Sequence, residues 1–289
     1  MEARFQPYEV RPASAPRGFL TGYYEPEAEG SLTRTQEFVA PLLARPDDLV
    51  TVGPGEAQPG LPEGAFARRT GAGLSPYPDR AAIEDGALGH QARPIAFLRD
   101  AVAVLIVQVQ GSARIRLPDG GTVRVAYAGR NGQPYTSVAR VLVETLGIPP
   151  AEMTASRLTE WLRAHPGEAP GLIRRNRSYV FFRVADELDP RDGPVGGAGV
   201  PLTAGRSLAV DRSAWSYGLP VWLEGDIPGP DGAVEPLRRL VVAQDTGTAI
   251  IGPARGDLFF GSGEEAGRQA GLVRHPARFV VLWPKPAAP

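Results

Sequence analysis

Apolar and polar positions along this chain alternate more often than they recur at helical spacing. The run AVAVLIVQVQ at 101–110 is rich in β-branched residues and of strand length, so the pattern predicts a buried strand there. Residues 113–117 alternate, Pro118-Asp119-Gly120-Gly121 supplies a turn, and 122–127 alternate again, which predicts a β-hairpin. Further strands are predicted at 179–184, 207–210, 220–224, 239–243, 258–260 and 279–283, most of them short and bounded by Gly, Pro or Asp. This is the pattern of a β-barrel or sandwich and not of a βαβ repeat. Helical spacing is confined to the middle of the chain. Residues 137–146 place Val138, Val141 and Leu142 on one face before Gly147, 152–164 place Leu158, Trp161 and Leu162 together, and 170–175 suggest a short third helix. The Gly-, Pro- and charge-rich stretch 45–80 is expected to be a long surface loop. A second such stretch, 186–199, follows the helical section and puts a domain boundary near Arg183.

Composition narrows the function. A formal net charge of −1 implies no basic surface and argues against nucleic acid as a partner. Lys285 is the single lysine and the arginines are spread over the whole chain, so no functional cationic cluster stands out. The absence of cysteine excludes disulfides, thiolate zinc sites and a cysteine nucleophile. His90, His165 and His275 have no mutual spacing that suggests a metal site, and no cofactor or metal is implied. Residues 101–110 fall far short of the ~20 apolar residues of a membrane-spanning helix. The opening MEARFQPYEVRP has no apolar core of a signal peptide.

The candidate chemistry lies in VVAQDTGTAIIGPARGDLFFGSGEEAGRQAG. Asp245 and Asp257 stand at the ends of a loop punctuated by Gly247, Gly252 and Gly256, with apolar residues outside both. Cleaving a glycosidic bond needs an acid that protonates the departing oxygen, and that acid must stay neutral well above the ~3.9 of free aspartate. Desolvation by Leu258, Phe259 and Phe260, or a neighbouring anion at Asp245, would supply the rise. Aspartates beside glycines are also ordinary turn-formers and helix caps, so the pair alone leaves both readings open.

Several ordered motifs carry a resemblance to a known family. GRSLAVDRSAWSYGLPVWLE followed by VVAQDTGTAIIGPARGDLFFGSGEEAG resembles the three-aspartate domain of bacterial cell-wall lytic enzymes, with Asp211, Asp245 and Asp257 as its aspartates. Upstream, GFLTGYYEPEAEG, YPDRAAIEDGAL, VQVQGSARIRL, YAGRNGQPYTSVARVL and RSYVFFR resemble, in order, the part specific to the membrane-bound lytic murein transglycosylase A family. The matches cover most of residues 18–281.

The resemblance implies a mainly β protein: a discontinuous double-psi β-barrel of residues 1–26 and 183–289, a β-rich domain with a few helices inserted at 27–182, and a groove between them. It implies cleavage of the β-1,4 bond between N-acetylmuramic acid and N-acetylglucosamine, without water, leaving a 1,6-anhydromuramic acid end. Asp257 would be the single acid/base, Asp245 would raise its pKa or hold the sugar, and Asp211 would pin the loop. A hydrolytic β-glycanase with Asp245 as base, or a peptidoglycan-binding protein without turnover, remains an alternative. Glycan contacts are expected from Tyr23 and Tyr24 (one of the two packing in the core), from Gln110, Gly111 and Ser112 at the end of the apolar strand (a β-bulge being the alternative), from Gly129, Asn131 and Tyr135, and from Gly261, Ser262 and Gly263. Glu264 and Glu265 read as the first turn of a helix. Where the family often has lysine or another polar residue this chain has Ile251, which loses a cation and could strengthen desolvation of the acid. The expected partner is the peptidoglycan glycan strand, handled by a monomer that joins cell-wall synthesis or lysis complexes. The expected location is the periplasm, with attachment to the outer membrane through a targeting segment absent from this sequence.

Overall fold

The computed structural model describes residues 4–229 and 231–286. The chain divides into two units, one of Met1–Pro26 with Leu188–Pro289 and one of Glu27–Glu187. The first opens with β1 (Phe5–Val10) and β2 (Gly18–Glu25). The second holds β3 (Glu27–Ser31), β4 (Ala40–Leu43), β5 (Leu49–Thr51), β6 (Phe66–Thr70), β7 (Gly73–Ser75), α1 (Arg80–Glu84), β8 (Pro94–Leu98), α2 (Ala101–Gln110), β9 (Ser112–Arg116), β10 (Thr122–Arg130), α3 (Val138–Leu146), α4 (Ala155–Ala164), α5 (Ala169–Arg174) and β11 (Val180–Val184). The chain then returns to the first unit with β12 (Ser207–Val210), β13 (Pro220–Pro228), β14 (Val234–Asp245), β15 (Arg255–Ser262), α6 (Gly263–Leu272) and β16 (Arg274–Pro284).

In the first unit the order β16-β13-β14-β12-β15-β2 closes on itself, because β2 pairs with both β15 and β16. This is a six-stranded barrel, the double-psi β-barrel that the motifs imply. Closure leaves no sheet edge within the ring, and β1 lies outside it against β16. Alternate residues fill the interior: Leu20, Leu208, Leu223, Val241, Leu258 and Phe279 belong to one buried cluster. Helix α6 lies against β2 and β15. Its packing is close enough that a Cβ on Gly22 would sit 2.8 Å from the Ala270 backbone.

The inserted unit has a sheet ordered β11-β10-β9-β3-β8-β4, with a bridge from Ala44 to Phe182 joining its two edges, and a small sheet β5-β6-β7. The predicted hairpin of residues 113–127 is β9 and β10, paired antiparallel. Buried Arg80 ties α1 to the rest of this unit, donating to the carbonyls of Asn176 and Ser178 and to Gln108 Oε1. A buried guanidinium is tolerated only when its donors are matched in this way.

Three expectations are corrected. Residues 101–110 form helix α2, not a strand. The run is apolar all round, so its periodicity cannot separate the two states. Its ends decide: the Asp100 carboxylate accepts from the Ala103 N–H at 2.7 Å, and Gly111 closes the helix at φ +83°. Both sides are buried, Val104 and Val107 against the main sheet and Val102 and Leu105 against α3, α4 and α5. Secondly, the stretch 45–80 is not a long surface loop. It contains β5, β6 and β7, and Val52, Leu61 and Ala67 form a core of their own. Thirdly, β13, β14 and β16 run nine, twelve and eleven residues, because their polar ends continue the backbone pairing beyond the apolar stretches.

Gly22→Ala is expected to destabilise the barrel by roughly 1–3 kcal/mol, since the added methyl meets helix backbone that a side-chain rotation cannot relieve. A lowered urea midpoint of the full chain would show it.

Candidate active site

The parallel register of β2 and β15 sets Phe19 beside Arg255, Thr21 beside Asp257 and Tyr23 beside Phe259. Their neighbours Leu20 and Leu258 point into the barrel core, so the row lies on the opposite face of the sheet. Asp257 is thus held in mid-strand, not in a loop. Across the sheet, Ala209 of β12 pairs with Asp257 on one side and with Asp245 on the other. A register shift between Leu208 and Ala209 puts Asp245, and not Gln244, opposite Ala209. Gln244 instead accepts from the Ser207 hydroxyl at 2.6 Å. The two carboxylates therefore flank one strand whose intervening side chain is a methyl group.

Each carboxylate has its own donors. Tyr23 Oη donates to Asp245 Oδ2 at 2.9 Å, and the Gly197 N–H donates to Oδ1 at 2.9 Å. The Thr246 N–H is a third donor. Gly197 leaves room for Tyr217 beside this approach: a Cβ there would lie 2.2 Å from the Tyr217 hydroxyl, which would have to shift. Thr21 Oγ1 donates to Asp257 Oδ1 at 2.5 Å, and Arg255 Nη2 donates to the same Thr21 oxygen at 2.8 Å. Arg255 also donates to the Gly256 carbonyl and lies over the Phe19 ring.

These surroundings sort the aspartates. Burial pushes Asp257 up from the ordinary 3.8 to about 6, Thr21 and Arg255 oppose the rise, and the charge of Asp245 adds to it. The residue as a whole is only partly buried. Asp245 is also raised by burial, against the pull of its three donors. Asp211 is lowered by bonds from the Gly252 N–H and from the hydroxyl and N–H of Ser213. Its 2.6 Å bond from Gly252, with the Trp215 indole bonded to the Pro253 carbonyl, ties down the loop between the other two aspartates.

Ile251, on that loop, is 76% exposed and lines an open apolar hollow with Pro12, Ala15 and Phe19. The expectation that it desolvates the acid is therefore corrected: Asp257 is dried by its own sheet and by buried Phe259. Tyr23 reaches the site, whereas Tyr24 lies against α6 at Gly267. After the acid, Gly261 is partly accessible, Gly263 is buried at the start of α6, and the Ser262 hydroxyl is spent on buried Glu25 at 2.6 Å. The predicted helix start at Glu264 and Glu265 is the first turn of α6.

In the inserted unit, Gln110 ends helix α2, and Gly111 is its left-handed cap where a strand end or β-bulge was expected. Ser112 is buried at the start of β9. Gly129 is buried under Leu49 and Arg45 at a bulge of β10. Asn131 is 1% exposed, donates to the carbonyls of Pro78 and Arg177, and accepts from the N–H groups of Tyr179 and Gln133. Its hydrogen-bonding capacity is used up inside the fold. Ser112, Gly129 and Asn131 are therefore corrected from glycan contacts to structural residues, while Tyr135 is 36% exposed. Thr21, Arg255, Tyr217 and Gly197 went unforeseen. The short spacing from Arg255 to Asp257 was the one local signal for any of them.

Barrel, insert and aspartates together define a three-aspartate protein with an inserted domain. Residues 206–283 match the 3D domain, and residues 19–183 match the MltA specific insert domain. The chain belongs to the membrane-bound lytic murein transglycosylase A (MltA) family. The protein of that name from Escherichia coli strain K12 is 31% identical over 275 residues, 93% of this chain and 66% of the relative. The Vibrio cholerae protein is 32% identical over 209 residues, 71% of this chain and 55% of the relative. The chain thus spans less than two thirds of the length of either, 55% of one and 66% of the other. Among solved structures, a membrane-bound lytic murein transglycosylase from Agrobacterium tumefaciens superposes with a TM-score of 0.87 at 39% identity, covering 98% of this chain and 77% of that one. Escherichia coli MltA with bound chitohexaose gives 0.77 at 28% identity, covering 98% and 76%.

The raised pKa has a consequence for stability. Asp257 binds its proton more tightly folded than unfolded, so stability falls as pH rises from about 4 to about 6. Asp257→Asn removes that cost. The variant is expected to unfold at higher urea than the parent at pH 7.5, by on the order of 2 kcal/mol, and at the same urea at pH 4.

Proposed function

We propose that this chain cleaves the β-1,4 bond between N-acetylmuramic acid and N-acetylglucosamine in peptidoglycan glycan strands, without water, leaving a 1,6-anhydromuramic acid end. The observation that carries this is a single buried acid with a pKa of about 6, beside a second carboxylate already engaged by three donors. An acid poised near neutrality can give a proton and take one back. Asp257 protonates the glycosidic oxygen as the bond from C1 to that oxygen breaks. The same carboxylate then takes the proton from the C6 hydroxyl of muramic acid as its oxygen bonds to C1. The acid is restored and no proton is consumed. Attack from within the same sugar draws on proximity, so no second group need activate water.

Asp245 acts in this reading as an anion that holds up the acid's pKa, with Tyr23 bonded to it as part of the sugar-facing surface. Tyr135, Gln110 and Gly111 of the inserted unit are kept as proposed glycan contacts. The solved relative that holds chitohexaose favours a glycan ligand. The relatives' name, membrane-bound, favours a place in the cell envelope, which we take to be the periplasmic face of the outer membrane. Among the described residues no helix is long and apolar enough to cross a membrane.

Mass spectrometry of products from insoluble peptidoglycan tests the reaction. Anhydro-muropeptides are expected, and reducing ends in their place would mean hydrolysis. Asp257→Asn should lower their release by roughly 10²–10⁴-fold while leaving glycan binding intact. The first step needs Asp257 protonated, so activity should fall as pH rises through about 6. Asp245→Asn takes away the neighbouring negative charge and should move that fall to lower pH. An unmoved profile removes Asp245 from the mechanism.

A further inference from the structure

The hydrogen bonds at Asp257 have a fixed direction. A guanidinium only donates, so Arg255 Nη2 must give its proton to Thr21 Oγ1. The Thr21 hydroxyl proton then has Asp257 Oδ1 as its acceptor. The reverse arrangement, with a proton on Oδ1 donated to Thr21, would leave the hydroxyl proton without an acceptor among the described residues. We propose that Thr21 and Arg255 are positioning residues that reserve Oδ1 of Asp257 as an acceptor and leave Oδ2 as the oxygen that exchanges the proton with substrate. This rests on the reading of Asp257 as the acid/base.

Arg255 bonds to Thr21 and not to Asp257, so its charge opposes the acid's rise only from a distance and does not cancel it. The arginine is itself fixed, by the Gly256 carbonyl and by the Phe19 ring beneath it. Its place in the row of side chains follows from the parallel pairing, which sets Phe19 and Arg255 one step along from Thr21 and Asp257. Among the described residues, these groups face the acid. Arg255 and Phe259 lie on its own strand, Thr21 and Tyr23 on β2, Ala209 on β12 and Asp245 beyond it on β14. Arg274, on β16 across from Thr21, acts on Arg255. Among the described residues Thr21 alone donates a side-chain hydrogen bond to Asp257.

A double-mutant cycle on the full chain tests the relay, with soluble glycan strands prepared from peptidoglycan as substrate. Thr21→Val should lower kcat by about tenfold to a hundredfold and leave KM within about twofold. Thr21→Ser, which keeps the hydroxyl, should restore kcat. Arg255→Met should lower kcat by about tenfold in the parent and by less than about twofold in the Thr21→Val background, because its effect passes through that hydroxyl. Independently of substrate, the ¹³C titration of the Asp257 carboxyl should move to higher pH in Thr21→Val, which removes a donor to the charged form. Additive losses in the cycle, or a Thr21→Val chain with parental kcat and titration, would overturn the relay. If the parent chain released no product, the proposed reaction would fail, and the titration would still decide the hydrogen bonding.

Discussion

The site depends on the parallel pairing of β2 with β15. It joins residues 236 positions apart, Thr21 and Asp257, into neighbouring rungs of one ladder. Between β2 and β12 the chain leaves the barrel unit, builds the separate unit of Glu27–Glu187 and then returns. The entropic cost of closing so large a loop grows only with the logarithm of its length, so an insertion of this size is tolerable once the barrel closes. Closure is what makes the pairing strong. β2 is held by β15 on one edge and β16 on the other, so it cannot slip without breaking two ladders and turning Leu20 out of the core.

The same pairing sets the electrostatics. A carboxylate in mid-strand is surrounded by sheet on either side, and desolvation is accordingly the leading cause of the high pKa of Asp257. Donors decide how far the rise goes. Asp211, with three bonds and little burial, stays a firm anion, whereas Asp245 has as many bonds and is still raised, because its burial outweighs them. Similar residues in one short stretch of sequence thus acquire different proton affinities from their surroundings.

Much of this was legible in the sequence, and what was missed has physical reasons. β12 was read to the residue, and helices α3 and α4 nearly so, because caps and apolar spacing agreed there. Helix α2 was misread because its run is buried on two sides and carries no period. Asp245 and Asp257 stood out through their glycine-rich setting, and the ordered motifs gave the barrel and the insert. Thr21 was invisible: one threonine in GFLTGYYEP has no local mark, and its partner is at the far end of the chain. Asn131 failed the other way. A polar residue between glycines looks like a ligand contact, and sequence cannot show that four bonds already bury it.

An acid that donates and then recovers one proton needs little travel and much rigidity. Loops supply reach, but a group on a paired strand is placed more accurately than one on a loop. The bulge in β14 gives this barrel both properties. It moves Asp245 into line with Asp257 across Ala209, and the chain that follows Asp245 leaves the sheet as the loop that Asp211 ties down. A larger side chain than the buried alanine between the two carboxylates would part them and weaken the hold of the Asp245 charge on Asp257.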